Sequence, residues 1–298
     1  MKKILVTGSE GLIGKHIKPE LLRLGYELIS YDLKSGNDIC DTKKLEPYIS
    51  QCHGIIHLAA VSRVVWGEND PDLCWKTNAV ASKNLIDMAL LQEHKPWVLV
   101  TSSREVYGEP QHLPVSDTDP VDPINIYGRS KVAMEEAAFN ARELGLTIAI
   151  ARLANVYGST DDHHDRVLPA FCKAAVLGKP LRIDGFKNTF DFTHISDTIS
   201  GLIKMVKKLD AGISSLPPIH LLPGVPTTLE EAALMAIKSA NSNSIILEAP
   251  SRSYDVSRFY GEAKNALMYL NWQAKILPEQ GIEMLVNEFN KELIGEIA

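Results

Sequence analysis

The chain has 298 residues, 45% apolar and 23% charged, which is the composition of a globular protein with a sizeable core. Its net charge of −6 gives no general attraction for nucleic acid or anionic membranes, so any phosphate site has to be local. The four cysteines lack metal-site spacing and no apolar run reaches the roughly 20 residues that span a bilayer, which predicts a cytoplasmic protein without bound metal.

Strand-like and helical patterns alternate through the first half of the chain. The predicted strands are Ile4–Thr7, Glu27–Tyr31, Ile55–Leu58, Trp97–Thr101 and Thr147–Ala151, and the predicted helices are Leu12–Leu24, Asn78–Leu91 and Tyr127–Leu144. Alternation of this kind produces βαβ units and a parallel sheet that is covered on both faces. We therefore predict an α/β fold with a doubly wound parallel sheet of the Rossmann type over residues 1–157.

The alternation weakens beyond residue 157. A polar loop at Gly158–Asp165 precedes further predicted elements, namely helices at Leu168–Leu177, Leu229–Ala240 and Gly261–Leu270 and a strand at Phe190–Ile195. We predict that residues 158–298 mainly form a smaller C-terminal substrate-binding lobe, and that segments within about 190–222 return to the sheet. Ligands of open α/β sheets bind at the carboxyl ends of the strands, so the cleft between the two lobes is expected there.

A glycine turn, residues 7–14, lies between the first predicted strand and the first helix. Its sequence is Thr-Gly-Ser-Glu-Gly-Leu-Ile-Gly, with glycines at positions 8, 11 and 14. Glycines there permit a tight turn and let backbone N–H groups approach a pyrophosphate, which a helix N-terminus stabilises. Asp32 at the end of the second strand can accept hydrogen bonds from ribose hydroxyls and repel a 2′-phosphate. Together these features predict NAD rather than NADP, although Lys34 lies nearby.

A second group of polar residues follows the fourth predicted strand. Ser103 follows the end of that strand, and Tyr127 and Lys131 are four residues apart at the start of a helix, so they share one face. An ammonium about 5 Å away, at an effective dielectric near 20, would favour the phenolate of tyrosine by roughly 3 kcal/mol. The sequence therefore predicts that Tyr127 removes a hydroxyl proton while Ser103 hydrogen-bonds the same substrate hydroxyl.

Taken in chain order, the glycine turn, the strand-end aspartate and the Ser/Tyr/Lys group resemble the motifs of the extended short-chain dehydrogenase/reductase family. The resemblance is to its sugar-nucleotide epimerase/dehydratase branch. The resemblance covers nearly the whole chain and also includes Asp38-Ile39, His57-Leu58-Ala59-Ala60, Thr77-Asn78, Arg152, Asn155-Val156-Tyr157-Gly158 and Asp191-Phe192. It implies that Ser103, Tyr127 and Lys131 are catalytic. It also implies a dinucleotide site formed by Gly8, Gly11, Leu12, Ile13, Gly14, Asp32, Asp38, Ile39, Leu58, Ala59, Ala60, Asn78, Tyr127 and Lys131.

The resemblance leaves the reaction open. Dehydratases of this family usually have an Asp-Glu pair directly after the catalytic Ser or Thr, whereas this chain has Arg104-Glu105. Some dehydratases and sugar-acid decarboxylases keep only the Glu, so Glu105 is a candidate catalytic residue beside the interpretation that it only structures the loop. The leading hypothesis is 4-epimerisation through a 4-keto intermediate, which needs no second acid/base pair. The alternatives are a 4-keto-sugar reductase or dehydrogenase, and a 4,6-dehydratase or decarboxylase that uses Glu105.

The resemblance also implies a nucleotide-diphosphate sugar as substrate. Asn155 matches a family asparagine that contacts the diphosphate, and Arg252 and Asp255 match residues that hold the diphosphate and the nucleotide ribose. Many relatives have an arginine where this chain has Phe190. Lys187 could substitute for that arginine or be an ordinary surface lysine.

Two further expectations concern assembly and the kind of protein. Family members pair the helices that correspond to Asn78–Leu91 and Tyr127–Leu144 between subunits, so we predict a homodimer with Val80, Leu85, Met88 and Leu91 as candidate apolar surface. A dinucleotide-sensing regulatory protein is the non-enzyme alternative. Such proteins typically lose the Tyr/Lys pair, so its presence here favours catalysis.

Overall fold

A computed structural model describes the backbone of residues 1–297 and the side chains as far as residue 294. The eleven strands within that range are β1 Lys3–Thr7, β2 Glu27–Tyr31, β3 Gly54–His57, β4 Trp97–Ser103, β5 Ile148–Leu153, β6 Asn155–Tyr157, β7 Leu181–Asp184, β8 Thr189–His194, β9 Ile219–Leu221, β10 Pro226–Thr228 and β11 Ile246–Ala249. The helices are α1 Leu12–Arg23, α2 Thr42–Ile49, α3 Val64–Asn69, α4 Pro71–Trp75, α5 Ser82–Leu91, α6 Ile126–Glu143, α7 Val167–Val176, α8 Ile195–Asp210, α9 Leu229–Ser239, α10 Lys264–Leu270 and α11 Pro278–Ile297. A π-helical segment, Lys76–Ala81, joins α4 to α5.

The central sheet has six parallel strands in the order β2-β1-β3-β4-β5-β9. Strands β3, β4 and β5 are buried along their whole length, because helices cover both faces of the sheet. Successive side chains alternate between the faces, so Ile4 and Val6 join the core under α1 and α8 while Leu5 joins the core under α2, α5 and α6. The predicted α/β fold with a doubly wound parallel sheet is confirmed.

The second lobe has a hydrophobic core of its own. Helices α7, α9 and α11 surround Phe171, Phe192 and Leu285, and strand β8 pairs with β6 on one side and β10 on the other. Strand β9, from within the segment 190–222, lies next to β5 in the central sheet. The division of the chain at residues 157 and 158 stays a prediction.

Some element boundaries differ from those predicted. Helix α10 begins at Lys264 rather than Gly261, because the chain at Gly261 forms a β-bridge with Val115. Helices α8 and α11 lie outside the predicted elements. Helix α8 covers the sheet with Leu202, Ile203 and Val206. None of the described helices combines the length and the apolar character that crossing a membrane requires.

Candidate active site

A cavity of about 920 Å³ opens at the carboxyl ends of β1, β4 and β5, between the sheet and the second lobe. The order of the strands switches at β1, because β2 lies on one side of β1 and β3, β4, β5 and β9 lie on the other. Ligands of open α/β sheets usually bind at such a switch point. The cavity is lined by all the predicted site residues except Asn78, namely Gly8, Gly11, Leu12, Ile13, Gly14, Asp32, Asp38, Ile39, Leu58, Ala59, Ala60, Ser103, Glu105, Tyr127, Lys131, Asn155, Arg252 and Asp255.

The glycine turn needs glycine for two separate reasons. Gly8 has a φ of +68°, and a Cβ there would lie 2.7 Å from the backbone nitrogen of Ala59. Gly14 lies inside α1, where a Cβ would overlap the carbonyl oxygen of Gly8. The turn therefore brings the free N–H groups at the start of α1 to the cavity wall, where they can bind a phosphate.

Asp32 ends β2 at the rim of the same cavity. Its carboxylate accepts hydrogen bonds from the backbone N–H of Glu10 at 2.9 Å and from that of Lys34 at 2.8 Å. These contacts fix a negative charge beside the glycine turn, where the adenosine ribose of a dinucleotide would lie. The turn, the helix N-terminus and this carboxylate together fit NAD.

Asn78 lies behind the cavity wall rather than in it. Its side-chain oxygen accepts a hydrogen bond from Val61 N–H at 2.8 Å, and its amide nitrogen donates to the Val61 carbonyl at 3.0 Å and to Ser130 Oγ at 3.1 Å. The side chain is fully buried within the π-helical segment. Asn78 thus holds the loop after β3, which carries Ala59 and Ala60, in place beside the glycine turn.

Ser103, Tyr127 and Lys131 meet at the end of β4. Lys131 Nζ lies 5.8 Å from the centre of the Tyr127 ring and donates to the Thr101 carbonyl at 2.9 Å. The backbone N–H of Glu105 donates to Ser103 Oγ at 3.2 Å, so the Ser103 hydroxyl proton stays free for another acceptor. Helix α6 places Tyr127 and Lys131 on one face, and Asn125 caps it by accepting from Gly128 N–H at 2.8 Å.

The expected lowering of the Tyr127 pKa is wrong for the protein without a bound dinucleotide. Loss of hydration raises the pKa of Tyr127 to about 12, although the neighbouring Ser103 hydroxyl and Arg166 lower it. Burial also lowers the pKa of Lys131 to about 8, which weakens the lysine as a permanent positive charge. At neutral pH Tyr127 is therefore a phenol, and a further positive charge is needed to make it a base.

Glu105 is held on both of its carboxylate oxygens. Arg104 Nη2 lies 2.8 Å from one oxygen, and the amide nitrogen of Asn125 donates to the other at 2.8 Å. Both members of the ion pair are buried, with 8% of Arg104 and 5% of Glu105 exposed. Asn125, which the sequence analysis did not single out, therefore positions Glu105 as well as capping α6. An asparagine directly before a helix is the only signal of it in the sequence.

Two of the predicted substrate residues, Arg252 and Asp255, form an ion pair at one end of the cavity, whereas Ser103 and Asn155 lie beside Arg104. Arg252 Nε is 2.9 Å from an Asp255 carboxylate oxygen, and burial raises the pKa of Asp255 although Arg252 opposes the shift. Phe190 lines this end. Lys187 does not line it; its ammonium is exposed and lies 2.6 Å from Glu230, as expected of an ordinary surface lysine.

A set of contacts across the cavity rim was not predicted. Arg63 pairs with Asp165, and the rings of Trp66 and His163 meet edge to face at 4.8 Å. Trp66, in α3, and His163 both line the cavity. These contacts join residues about 100 positions apart, so no local pattern in the sequence could reveal them.

The geometry defines a dinucleotide-binding site with a Ser/Tyr/Lys group at the end of a parallel strand. The sequence profile of the NAD dependent epimerase/dehydratase family matches residues 4–216. The chain belongs to this family, and its cofactor is NAD, as the sequence predicted. The predicted kind of protein, an NAD-dependent enzyme of the epimerase/dehydratase group, is confirmed.

Similar proteins from three organisms span nearly the whole chain. UDP-glucuronic acid decarboxylase 1 of Arabidopsis thaliana is 27% identical over 99% of this chain and 71% of its own length. A putative UDP-glucose 4-epimerase of Methanocaldococcus jannaschii is 29% identical over 95% of this chain and 97% of its own. The crystal structure of Thermotoga maritima UDP-glucose 4-epimerase with UDP-glucose has a TM-score of 0.90 and 25% identity, covering 98% of this chain and 99% of that one.

Proposed function

We propose that this enzyme interconverts a nucleotide sugar and its C4 epimer through a 4-keto intermediate. The observation that carries the proposal is the state of Glu105, whose two oxygens are already bonded to Arg104 and Asn125. A carboxylate in a buried ion pair is a poor proton carrier, because protonating it would leave the arginine charge unpaired. Tyr127 is then the acid/base group at the end of β4, and 4-epimerisation needs no second one.

The roles of three residues follow from their contacts. Ser103 donates its free hydroxyl proton to the C4 oxygen and orients the sugar, while Tyr127 takes the C4 hydroxyl proton and later returns it. Lys131 holds the strand end through Thr101 and contributes positive charge beside the Tyr127 ring. When bound, NAD would supply the acceptor, and on the return step the donor, of the C4 hydride, and its positive charge would lower the high pKa of Tyr127.

The nucleotide-sugar part of the proposal is supported by the relatives and by the second end of the cavity. The relatives named above act on UDP-sugars by their descriptions. Here Arg252 and Asn155 line the cavity beyond Ser103, and an arginine fork suits phosphate oxygens. The cavity, at about 920 Å³, is near the upper end of the range for ligand sites, which suits two ligands side by side.

A second candidate function is decarboxylation or 4,6-dehydration with Glu105 as acid/base group. It is favoured by the place of Glu105 in the cavity lining and by the similarity to a UDP-glucuronic acid decarboxylase. It requires Glu105 to leave Arg104 or Asn125 during the reaction. A net 4-keto-sugar reductase, the third possibility, would release its nicotinamide cofactor after every turnover.

The test is a panel of nucleotide sugars incubated with the enzyme and NAD, with products resolved by NMR. UDP-glucose, UDP-glucuronic acid and dTDP-glucose are the substrates, and Tyr127→Phe protein is the control. We expect a C4 epimer with no net change in absorbance near 340 nm. Carbon dioxide release, a 6-deoxy product or stoichiometric NADH would each replace the proposed reaction with one of the alternatives.

The remaining parts of the proposal concern assembly and location. We propose a homodimer that forms through the outer faces of α6 and of the helical stretch from α4 to α5, since Trp75 in α4, Val80 in the π-helical segment and Phe139 in α6 are apolar and partly exposed. Cysteines without pairing partners among the described residues support a cytoplasmic location.

A further inference from the structure

Arg104 is an arginine in an unusual place, directly after Ser103 at the carboxyl end of β4. Its guanidinium lies 4.5 Å from the centre of the Phe190 ring and 5.8 Å from that of Phe259. Only 9% of the side chain is exposed, and the residue lines the cavity. The charged group is therefore held against two aromatic rings in the cavity lining.

Two of the three guanidinium nitrogens have partners and the third has none. Nη2 bonds Glu105 and Nε donates to Asn155 Oδ1 at 3.3 Å. Nη1 is buried and has no hydrogen-bond partner among the described residues. A buried N–H group of a charged side chain that has no acceptor is energetically costly. Such a group in a cavity wall indicates that a ligand oxygen is its partner.

Three carboxylates lie near the Arg104 guanidinium and influence which ligand oxygen it can bind. Glu105 balances its charge directly, and the carboxylates of Asp191 and Asp255 also face it closely enough for Arg104 to lower their pKa values. Burial outweighs that effect at Asp191, whose pKa rises to about 7. These carboxylates offset part of the arginine charge, and the remaining donor, Nη1, can form one charge-assisted hydrogen bond with an oxyanion oxygen.

We propose that Arg104 Nη1 binds an oxyanion of the substrate, from either its diphosphate or a sugar carboxylate. The inference rests on the proposed function, since the ligand is a nucleotide sugar. Phe190, from β8, contributes to this site because its ring lies against the Arg104 guanidinium and holds the cation in the cavity lining.

The experiment measures binding to the NAD-loaded protein by titration calorimetry with five ligands: uridine, UDP, dTDP, UDP-glucose and UDP-glucuronic acid. The variants are Arg104→Met and the double variant Arg104→Met/Glu105→Gln, which removes the buried carboxylate charge that the single variant leaves unpaired. Arg182→Met is the matched control, because Arg182 is exposed at the cavity edge and paired with Asp184. Thermal unfolding checks that each variant is folded.

If the oxyanion is the diphosphate, both Arg104 variants should bind UDP at least about tenfold more weakly, the loss of one charge-assisted hydrogen bond, while uridine binding stays within about twofold. A loss with UDP, UDP-glucose and UDP-glucuronic acid alike identifies the diphosphate as the oxyanion. A loss with UDP-glucuronic acid alone identifies the carboxylate.

Two results would overturn the inference. Either the double variant binds every ligand as tightly as the wild type, or Arg182→Met loses as much affinity as the Arg104 variants do. A wild-type protein that binds neither UDP nor dTDP has a different meaning, because it removes the proposed substrate class and the role of Arg104 together.

Discussion

The phenol oxygen of Tyr127 is the single atom on which the proposed chemistry depends. Tyr127→Phe should lower turnover by about 10³-fold, in the range of general acid/base catalysis, and leave the affinity for NAD within about twofold because the ring remains. Ser103→Ala should lose less, since it removes a hydrogen bond and not the proton acceptor. Steady-state kinetics and NAD titration measure both effects. A Tyr127→Phe enzyme that keeps turning over would move the acid/base role to Glu105.

Lys131 makes the stability of the NAD-free protein depend on pH. Its pKa is about 8 in the folded protein and about 10.4 in an unfolded chain. Between these values the unfolded chain binds a proton that the folded protein does not, so the free energy of unfolding should rise with pH. The gain should reach about 3 kcal/mol by pH 10.5 and should be absent below pH 8.

Urea unfolding of the wild type and of Lys131→Met at pH 7 to 10 measures this dependence. The variant should lack the rise, so the difference between the two curves isolates Lys131 from other titrating groups. Parallel curves would mean that the lysine stays fully charged inside the fold. In that case its ammonium would be available to lower the pKa of Tyr127, as the spacing in the sequence suggested.

At the residue scale, the sequence predicts the composition of the site better than its electrostatics. The spacing of Tyr127 and Lys131 and the position of Ser103 at a strand end were sufficient to predict that the three meet. The pKa of Tyr127 was not predictable, because it depends on how much water the cavity wall excludes. The Arg104–Glu105 pair is adjacent in the sequence, but Asn125, which holds the other oxygen of Glu105, comes from a different element.

At the scale of elements, β2 and the glycine turn together determine which dinucleotide is bound. Asp32 is anchored by two backbone N–H groups, so its carboxylate cannot swing away from a 2′-phosphate. We expect NAD to bind at least about tenfold more tightly than NADP, and Asp32→Ala to remove most of that difference. Fluorescence titration with both dinucleotides measures it. Tighter binding of NADP by the wild type would point to Lys34 as the phosphate partner.

The elements that the sequence predicted well are those with strong local patterns. The strands of the first half are continuous apolar runs, and α1 and α6 follow clear turn or cap residues. The beginning of α10 was wrong because a β-bridge between Gly261 and Val115, far apart in the chain, holds the preceding residues extended. Pairing between distant segments has no local signal in a single sequence.

At the scale of the whole molecule, the prediction is a homodimer of about twice 32.9 kDa. The predicted apolar stripe divides in the structure: Leu85 faces the sheet, while Val80 and Leu91 are exposed. Light scattering at micromolar concentration should give the dimer mass for the wild type and the monomer mass for Val80→Glu/Phe139→Glu, since buried unpaired carboxylates oppose association. Leu234→Glu is the control, because Leu234 is equally exposed on α9 in the other lobe.

A wild-type protein of monomer mass would contradict the dimer. A double variant that remains a dimer, like the Leu234→Glu control, would place the contact elsewhere on the surface.

The π-helical segment Lys76–Ala81 has a consequence for how this chain can change in length. A π turn is equivalent to one residue inserted into an α-helix. Deleting one residue there would restore regular winding, but it would move the side chains of the segment itself onto other faces of the helix. Asn78 would then lose Val61 and Ser130, and the loop beside the glycine turn would lose its anchor. Regular α-helical hydrogen bonding in this segment would therefore weaken cofactor binding, so stability and function favour different lengths of the chain here.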